Sequence, residues 1–133
     1  MSDELDEETL AFAHRTFELA RSGATEELAG LVDAGLPPNL TNDSGDTLLT
    51  LAAYHARPAT VRMLLERGAD ASRVNDRGQT ALGAAVFRSS TETVEALLEH
   101  GADPALGSPS AHEVATFFEL PEMAALLRSY SPR

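Results

Sequence analysis

Apolar residues recur along this chain at helical spacing, in short blocks that end at glycine. Val61, Leu64 and Leu65 lie three and four positions apart, which places their side chains on one face of an α-helix. Gly68 follows this block, and glycine readily adopts the left-handed backbone that ends a helix. The same spacing and terminator return in a later block that ends at Gly101. The pattern therefore predicts short amphipathic helices separated by tight turns, with little or no regular strand.

Residues 42–103 contain one sequence pattern twice. The first copy begins NDSGDTLLTLAA at position 42 and closes with LLERGAD at residues 64–70. The second begins NDRGQTALGAA at position 75 and closes with LLEHGAD at residues 97–103. Gly45 and Gly78 occupy matching positions in the two copies, and their numbers differ by 33. A fixed internal period of this size predicts a stack of repeated structural units.

These runs resemble the ankyrin repeat, whose signature is a Gly-x-Thr-Pro-Leu-His-x-Ala-Ala run followed by Leu-Leu-x-x-Gly-Ala-Asp. The resemblance implies an all-α solenoid of about four helix-turn-helix units with short turn or hairpin tips. The chain departs from the family where the family has proline, histidine and an inter-helix glycine. Those positions hold Leu48 and Ala81, Thr50 and Gly83, and Ala56 and Ser89, respectively. We expect these departures to soften local hydrogen bonding without changing the fold.

The resemblance covers nearly the whole chain, which we interpret as a single domain, residues 1–133. The predicted units are an N-terminal capping repeat at 5–42, repeats at 43–75 and 76–108, and a C-terminal capping repeat at 109–129. The first unit is degenerate and has a lengthened first helix. Gly68 to Thr80 spans 12 steps, whereas Gly101 to Ser110 spans 9, so the third hairpin is predicted to be truncated.

Two kinds of residue mark the predicted helix starts. Hydroxyl side chains accept hydrogen bonds from the free backbone N–H groups there, and proline has the backbone angle that the first helical position requires. Capping hydroxyls are predicted at Thr25, Thr47, Thr80 and Ser90, a capping box at Ser110 and Glu113, and proline at the first helical position at Pro58 and Pro121. On the outer face, Arg62 and Glu66 are four residues apart and are predicted to pair.

The composition of the chain limits which partners and which chemistry are expected. The chain has a net charge of −11 and no cysteine. The charge argues against binding nucleic acid or an anionic membrane and favours a partner with a basic patch, and the lack of cysteine excludes disulfides and thiolate chemistry. No apolar run approaches the roughly 18 residues of a membrane span. Met1 to Glu8 carries five acids and no cation, unlike a secretory signal. We therefore expect a cytoplasmic protein that is monomeric when free.

Candidate catalytic and metal-binding residues form no convincing pattern. The four histidines are scattered, and a turn separates His100 from Asp103. We expect His100 to be solvated and His112 to be partly buried. The turns need Gly45, Gly68, Gly78 and Gly101, so these glycines provide no phosphate-binding loop. The sequence thus predicts no catalytic residues, no metal and no cofactor, and a protein that is not an enzyme.

A series of aromatic residues is the strongest functional signal. In the ankyrin pattern, a position shortly after the Ala-Ala pair lies near the end of each first helix, on the concave side. Successive units place Arg21, Tyr54, Phe87 and Phe117 at that position, and Ser22, His55, Arg88 and Phe118 at the next. Because repeats stack at near-constant spacing, these residues are predicted to form a ladder with the composition of an interface. The alternative is that the rings only cover gaps between helix pairs, with Phe118 packed under the last helix.

We expect a non-enzymatic protein-binding module, an adaptor or inhibitor, that uses its concave face and turn tips. The alternatives are an obligate non-catalytic subunit that completes or regulates an enzyme, and an acidic mimic that blocks the nucleic-acid site of a basic protein. Fold alone does not decide between these functions. The predicted partner-binding residues are Asp43, Ser44, Asp46, Thr50, Tyr54, His55, Asp76, Arg77, Gln79, Phe87, Arg88 and Phe117.

Overall fold

The chain folds into four consecutive pairs of helices. A computed structural model describes residues 2–130 of the 133, with side chains from residue 7 onward. Over this range the helices are α1 (Ser2–Ser22), α2 (Thr25–Asp33), α3 (Leu48–Tyr54), α4 (Pro58–Glu66), α5 (Ala81–Phe87), α6 (Thr91–Glu99), α7 (Ala111–Phe117) and α8 (Pro121–Ser129). Within the described range, β-structure is limited to two isolated bridges, Thr41 with Thr47 and Gly107 with Ser110. The predicted all-α fold is confirmed.

The helices form two layers, and the core lies between them. The first helix of each pair packs on the next first helix, in the order α1, α3, α5 and α7, and the second helices follow in the same way. Ala52 and Ala85 are fully buried in the first layer, where small side chains allow close approach of neighbouring helices. Val61, Leu64 and their counterparts in the next unit fill the second layer at 0% exposure. Within residues 2–130, no helix is both long and apolar enough to cross a membrane.

The predicted caps of the first helices are confirmed. The Thr47 hydroxyl accepts a hydrogen bond from the Thr50 N–H at 3.0 Å, and the Thr80 hydroxyl does the same for Gly83. Ser110 and Glu113 form the reciprocal capping box that opens α7. Pro58 and Pro121 begin α4 and α8, as predicted.

Two of the predicted capping hydrogen bonds do not form, because the hydroxyl in each case is hydrogen-bonded to a buried threonine instead. Thr25 is the first residue of α2, not its cap, and its hydroxyl lies 2.7 Å from that of Thr60. Ser90 is the N-cap residue of α6, as predicted, but its hydroxyl lies 2.8 Å from that of Thr93 and accepts no backbone N–H. Thr60 and Thr93 are fully buried, and leaving a buried hydroxyl without a partner costs about 1–3 kcal/mol.

The predicted pair on the outer face is also wrong. Arg62 donates to Glu99 at 3.1 Å, not to Glu66. Glu99 belongs to the next second helix, α6, so this ion pair joins two repeats instead of two turns of one helix. Both side chains are exposed, and such pairs contribute little to stability.

A left-handed residue separates the two helices of every pair. Gly23 has φ 79°, and Ala56, Ser89 and Glu119 have φ between 54° and 56°. The departure from glycine at Ala56 and Ser89 therefore leaves the backbone conformation unchanged, at a cost of about 1–2 kcal/mol for each non-glycine residue. Glu119 comes earlier in the chain than the repeat period would place it, which matches the shortened third connector.

Candidate partner-binding groove

A groove of about 1200 Å³ runs along the layer of first helices and their hairpin tips. Helices α3, α5 and α7 form its wall, and residues near Arg77 and Ser108 from two tips border it. Most of the predicted partner-binding residues line it or border it. We call this feature the groove.

Four rings form a continuous series along the groove, the aromatic row: Tyr54, Phe87, Phe118 and Phe117. Tyr54 and Phe87 stack with ring centres 6.2 Å apart and planes 5° from parallel. Phe118 meets Phe87 edge-on at 5.1 Å, and Phe117 meets Phe118 in the same way at 4.9 Å. Tyr54 and Phe87 are each 44% exposed, Phe118 47% and Phe117 79%. The rings contact one another and are still partly exposed to solvent.

The order of the rings differs from the predicted ladder. Phe118, not Phe117, contacts Phe87, and Phe118 is exposed instead of packed under α8. The reason is that, in two successive units, the C-cap residue that follows the first helix contacts the ring of the preceding unit. Arg88 does this above Tyr54, with its guanidinium carbon 5.8 Å from the ring centre. Phe118 is the C-cap residue that follows α7, and it contacts Phe87 in the preceding unit.

Two of the predicted contact residues are buried and support the floor of the groove. Asp46 is 8% exposed and accepts a hydrogen bond from the Asn75 side-chain amide at 2.7 Å. Thr50 is 6% exposed, and its hydroxyl lies 3.0 Å from that of Thr47. Asp46 and Thr50 were predicted to bind the partner, but their burial leaves little of either side chain for such a contact. The other predicted tip residues are exposed or half-buried: Asp43, Ser44, Asp76, Arg77 and Gln79.

Asn42 and Asn75 hold the hairpin tips, a role that sequence reasoning missed. The Asn42 side-chain oxygen accepts hydrogen bonds from the Ser44 and Asp46 N–H groups. The Asn75 oxygen accepts the equivalent pair from Arg77 and Gln79. The signal was available in the repeated Asn-Asp-x-Gly run, because asparagine commonly closes turns on its own backbone.

Arginines gather where the first helices end. Arg57 donates to the Arg21 carbonyl at 2.9 Å, and Arg88 donates to the Tyr54 carbonyl at the same distance. Both carbonyls lie at helix C-termini, where a cation is favoured. We call Arg21, Arg57 and Arg88 the arginine edge. Arg57 was missed from the sequence because the equivalent positions in the neighbouring units hold alanine and serine.

His55 lies between the arginine edge and the aromatic row. It is half-buried, and its ring meets Tyr54 edge-on at 5.2 Å. Burial and the three positive charges of the edge hold the pKa of His55 below its ordinary value of 6.5, while Glu18 opposes this shift. The local field at this end of the groove is thus positive, although the chain as a whole is acidic.

Metal-ligating side chains do not cluster in the part of the chain that the structure describes. No group of three or more histidine, aspartate or glutamate residues there could hold a metal ion. His100 is exposed with Nδ1 2.9 Å from the Ala96 carbonyl oxygen, and His112 is half-buried, as expected for both. The absence of bound metal stays a prediction.

Two helical layers built from units that recur at a regular interval along the chain define a helix-turn-helix repeat solenoid. The family profile described as ankyrin repeats in three copies matches residues 17–107, which is more than half of the chain. The chain belongs to the ankyrin repeat family. Ankyrin repeats are in general protein–protein interaction modules, and the fold is not a catalytic one.

A relative in Pseudomonas aeruginosa is similar to part of the chain. Its name describes it as an ankyrin repeat protein, and it is 53% identical over 60 residues. The match covers 45% of this chain and 35% of the relative, so the similarity spans about a third of the relative's length.

Proposed function

We propose that this chain is a non-enzymatic adaptor or inhibitor that binds a segment of a partner protein in the groove. The observation that carries the proposal is the aromatic row. Single exposed apolar residues are common on protein surfaces, but four contacting rings at 44–79% exposure form a contiguous patch. Aromatic residues beside arginine have the composition of an interface core.

The residues around the groove have distinct roles in this proposal. Tyr54 and Phe87 provide a flat stacked platform, and Phe117 provides the most exposed ring. His55 and Arg88 border the platform at the helix ends. At the tips, Arg77 and Gln79 line the groove. Asp43, Ser44 and Asp76 belong to the same tips and are exposed or half-buried, so they are available to a partner that extends beyond the groove. Asp46 and Thr50 support the tips from below and are not proposed to contact the partner.

The two alternative functions receive less support. An acidic mimic of nucleic acid needs acids gathered on one face, whereas the arginine edge lies beside the groove, with Arg88 over the ring of the groove residue Tyr54. A subunit that completes an enzyme would bring a catalytic group to a shared site. The carboxylates that line the groove are already engaged, Asp46 by Asn75 and Glu113 in the capping box, and its two histidines are half-buried. A binding module therefore accounts for the groove with the fewest additional requirements.

Substitution of Phe87 tests the proposal. We expect Phe87→Ala to abolish co-purification of the partner from the native cell and to leave circular dichroism and thermal melting almost unchanged, because the ring is half exposed. Truncation of a central interface ring commonly costs about 2 kcal/mol or more of binding energy. The matched control is Leu10→Ala, which removes a 55% exposed side chain from α1. If Phe87→Ala instead costs the roughly 3–5 kcal/mol of a core ring, or retains full binding, the proposal is wrong.

A further inference from the structure

We propose that the segment bound in the groove is acidic as well as apolar: its apolar side chains cover the aromatic row while its carboxylates contact the arginine edge. This inference rests on the proposed function and specifies the chemistry of the partner.

The arginine edge concentrates positive charge in an acidic chain. Three of the ten arginines lie near His55 and lower its pKa. Arg21 is in the last turn of α1, Arg57 lies between α3 and α4, and Arg88 follows α5. One carboxylate opposes them, that of Glu18, which is 3.1 Å from Arg21. The helix ends therefore carry excess positive charge beside an apolar surface.

Arg57 and Arg88 are held in place without a carboxylate partner. Each donates one hydrogen bond to a backbone carbonyl, which fixes the direction of its guanidinium group. The ion pairs found among the described residues do not include either of them, whereas Arg62 and Arg67 elsewhere in the stack pair with acids. A fixed guanidinium with free N–H groups is a preorganised site for a carboxylate, because part of the ordering cost is met before binding.

The two surfaces are close enough for one short segment. The Arg88 guanidinium lies over the Tyr54 ring, and Phe87 stacks against that ring on the same helix layer. In an extended peptide, alternate residues project to the same side about 7 Å apart, so an apolar residue and an acidic residue two positions away reach both surfaces. Repulsion from the rest of the acidic chain is screened beyond about 8 Å at physiological salt.

This assignment differs from the basic partner that net charge alone suggests. Of the acids at the tips, Asp46 is engaged by Asn75. Asp43 and Asp76 remain exposed, but they belong to the tips and not to the helix ends. Net charge describes the whole surface, whereas binding is decided by the charges beside the groove.

Selection from a library of random dodecapeptides displayed on phage tests the inference. The full chain is the target, and peptides that also bind the Phe87→Ala variant are removed. We expect the remaining peptides to combine aspartate or glutamate with leucine, isoleucine or aromatic residues. Recovery of no Phe87-dependent peptide would contradict the proposed function itself. Recovery of Phe87-dependent peptides that are neutral or rich in lysine and arginine would overturn the acidic assignment alone.

Fluorescence anisotropy with a selected synthetic peptide then locates its acids. We expect Arg57→Gln and Arg88→Gln each to weaken binding on the order of tenfold, as for the loss of one charge-assisted hydrogen bond. Arg128→Gln, on the exposed surface of α8, is the matched control and should leave the affinity unchanged. Equal effects of all three substitutions would show that only the net charge of the chain affects the affinity, which would contradict a site at the arginine edge. Melting curves of each variant confirm that it is folded.

Discussion

At the scale of single residues, Asn75 joins two neighbouring tips through a buried hydrogen bond to Asp46. We expect Asn75→Ala to lower the free energy of unfolding by about 2–4 kcal/mol, because Asp46 loses its partner and two backbone N–H groups lose an acceptor. Asn42→Ala removes an equivalent pair of turn contacts but keeps the bond to Asp46, so it should cost less. Urea denaturation of both variants measures the difference, and equal losses would contradict a structural role for this bond.

His55 should titrate below the ordinary histidine range. Its pKa is lowered in the folded state, so the unfolded state binds the proton more readily and His55 opposes folding in acid. Above 6.5, the pKa of the unfolded state, His55 does not lower the free energy of unfolding. As pH falls through that value the free energy of unfolding declines, and the decline levels off below the folded pKa.

Because Arg88 is one of the causes of the shift, we expect Arg88→Gln to raise the pKa of His55, and Arg128→Gln to leave it unchanged. Titration of the imidazole signals by nuclear magnetic resonance measures both. An unchanged pKa in Arg88→Gln would show that Arg88 does not contribute to the shift.

The sequence predicted surface rings better than it predicted hydrogen bonds. Tyr54 and Phe87 were identified because their position recurs in each unit, and periodicity is visible in a sequence. The burial of Asp46 was not predictable, because it depends on a side chain 29 residues away that reaches across to the neighbouring tip. Arg57 was missed for a similar reason, since it crosses to the carbonyl of Arg21 in the preceding unit.

At the scale of elements, two glycines should respond to alanine in opposite directions. Gly30 lies within α2, and a methyl group added there meets nothing within 4 Å. Gly23 has φ 79°, and the same methyl would lie 2.8 Å from the Arg57 side chain. We therefore expect Gly30→Ala to raise the free energy of unfolding by about 0.5–1 kcal/mol and Gly23→Ala to lower it by about 1–2 kcal/mol. Thermal and urea denaturation check both values, and a shared direction would refute the assigned conformations.

Helix boundaries were predictable where a local signal decides them. The caps at Thr47 and Thr80 involve residues three positions apart, so the sequence contains both partners. Thr25 is also a good capping residue by type. Its hydroxyl instead meets Thr60, 35 residues later, and this tertiary contact overrides the local preference.

At the scale of the whole molecule, alanine sets the spacing of the first-helix layer. Ala52 and Ala85 are 0% exposed, each on a helix that packs against neighbours on both sides. We expect Ala52→Leu and Ala85→Leu each to cost roughly 1–3 kcal/mol through overpacking, visible as a lower melting temperature. Ala59→Leu, on the exposed side of α4, is the control. Unchanged melting in both buried variants would place the close helix contacts elsewhere.

The pattern of helix contacts has a kinetic consequence. The main contacts join each unit to its neighbours in the chain, so the order of the units in space is their order in the sequence. Phe17 and Met123, which belong to opposite ends of the core, need not meet before ordering begins. The diffusive search extends over one repeat interval, and any adjacent pair of units can act as the nucleus from which structure spreads. Removing or adding a unit would therefore change the stability of the stack, whereas the stretch of chain over which two neighbouring units must find each other would stay the same.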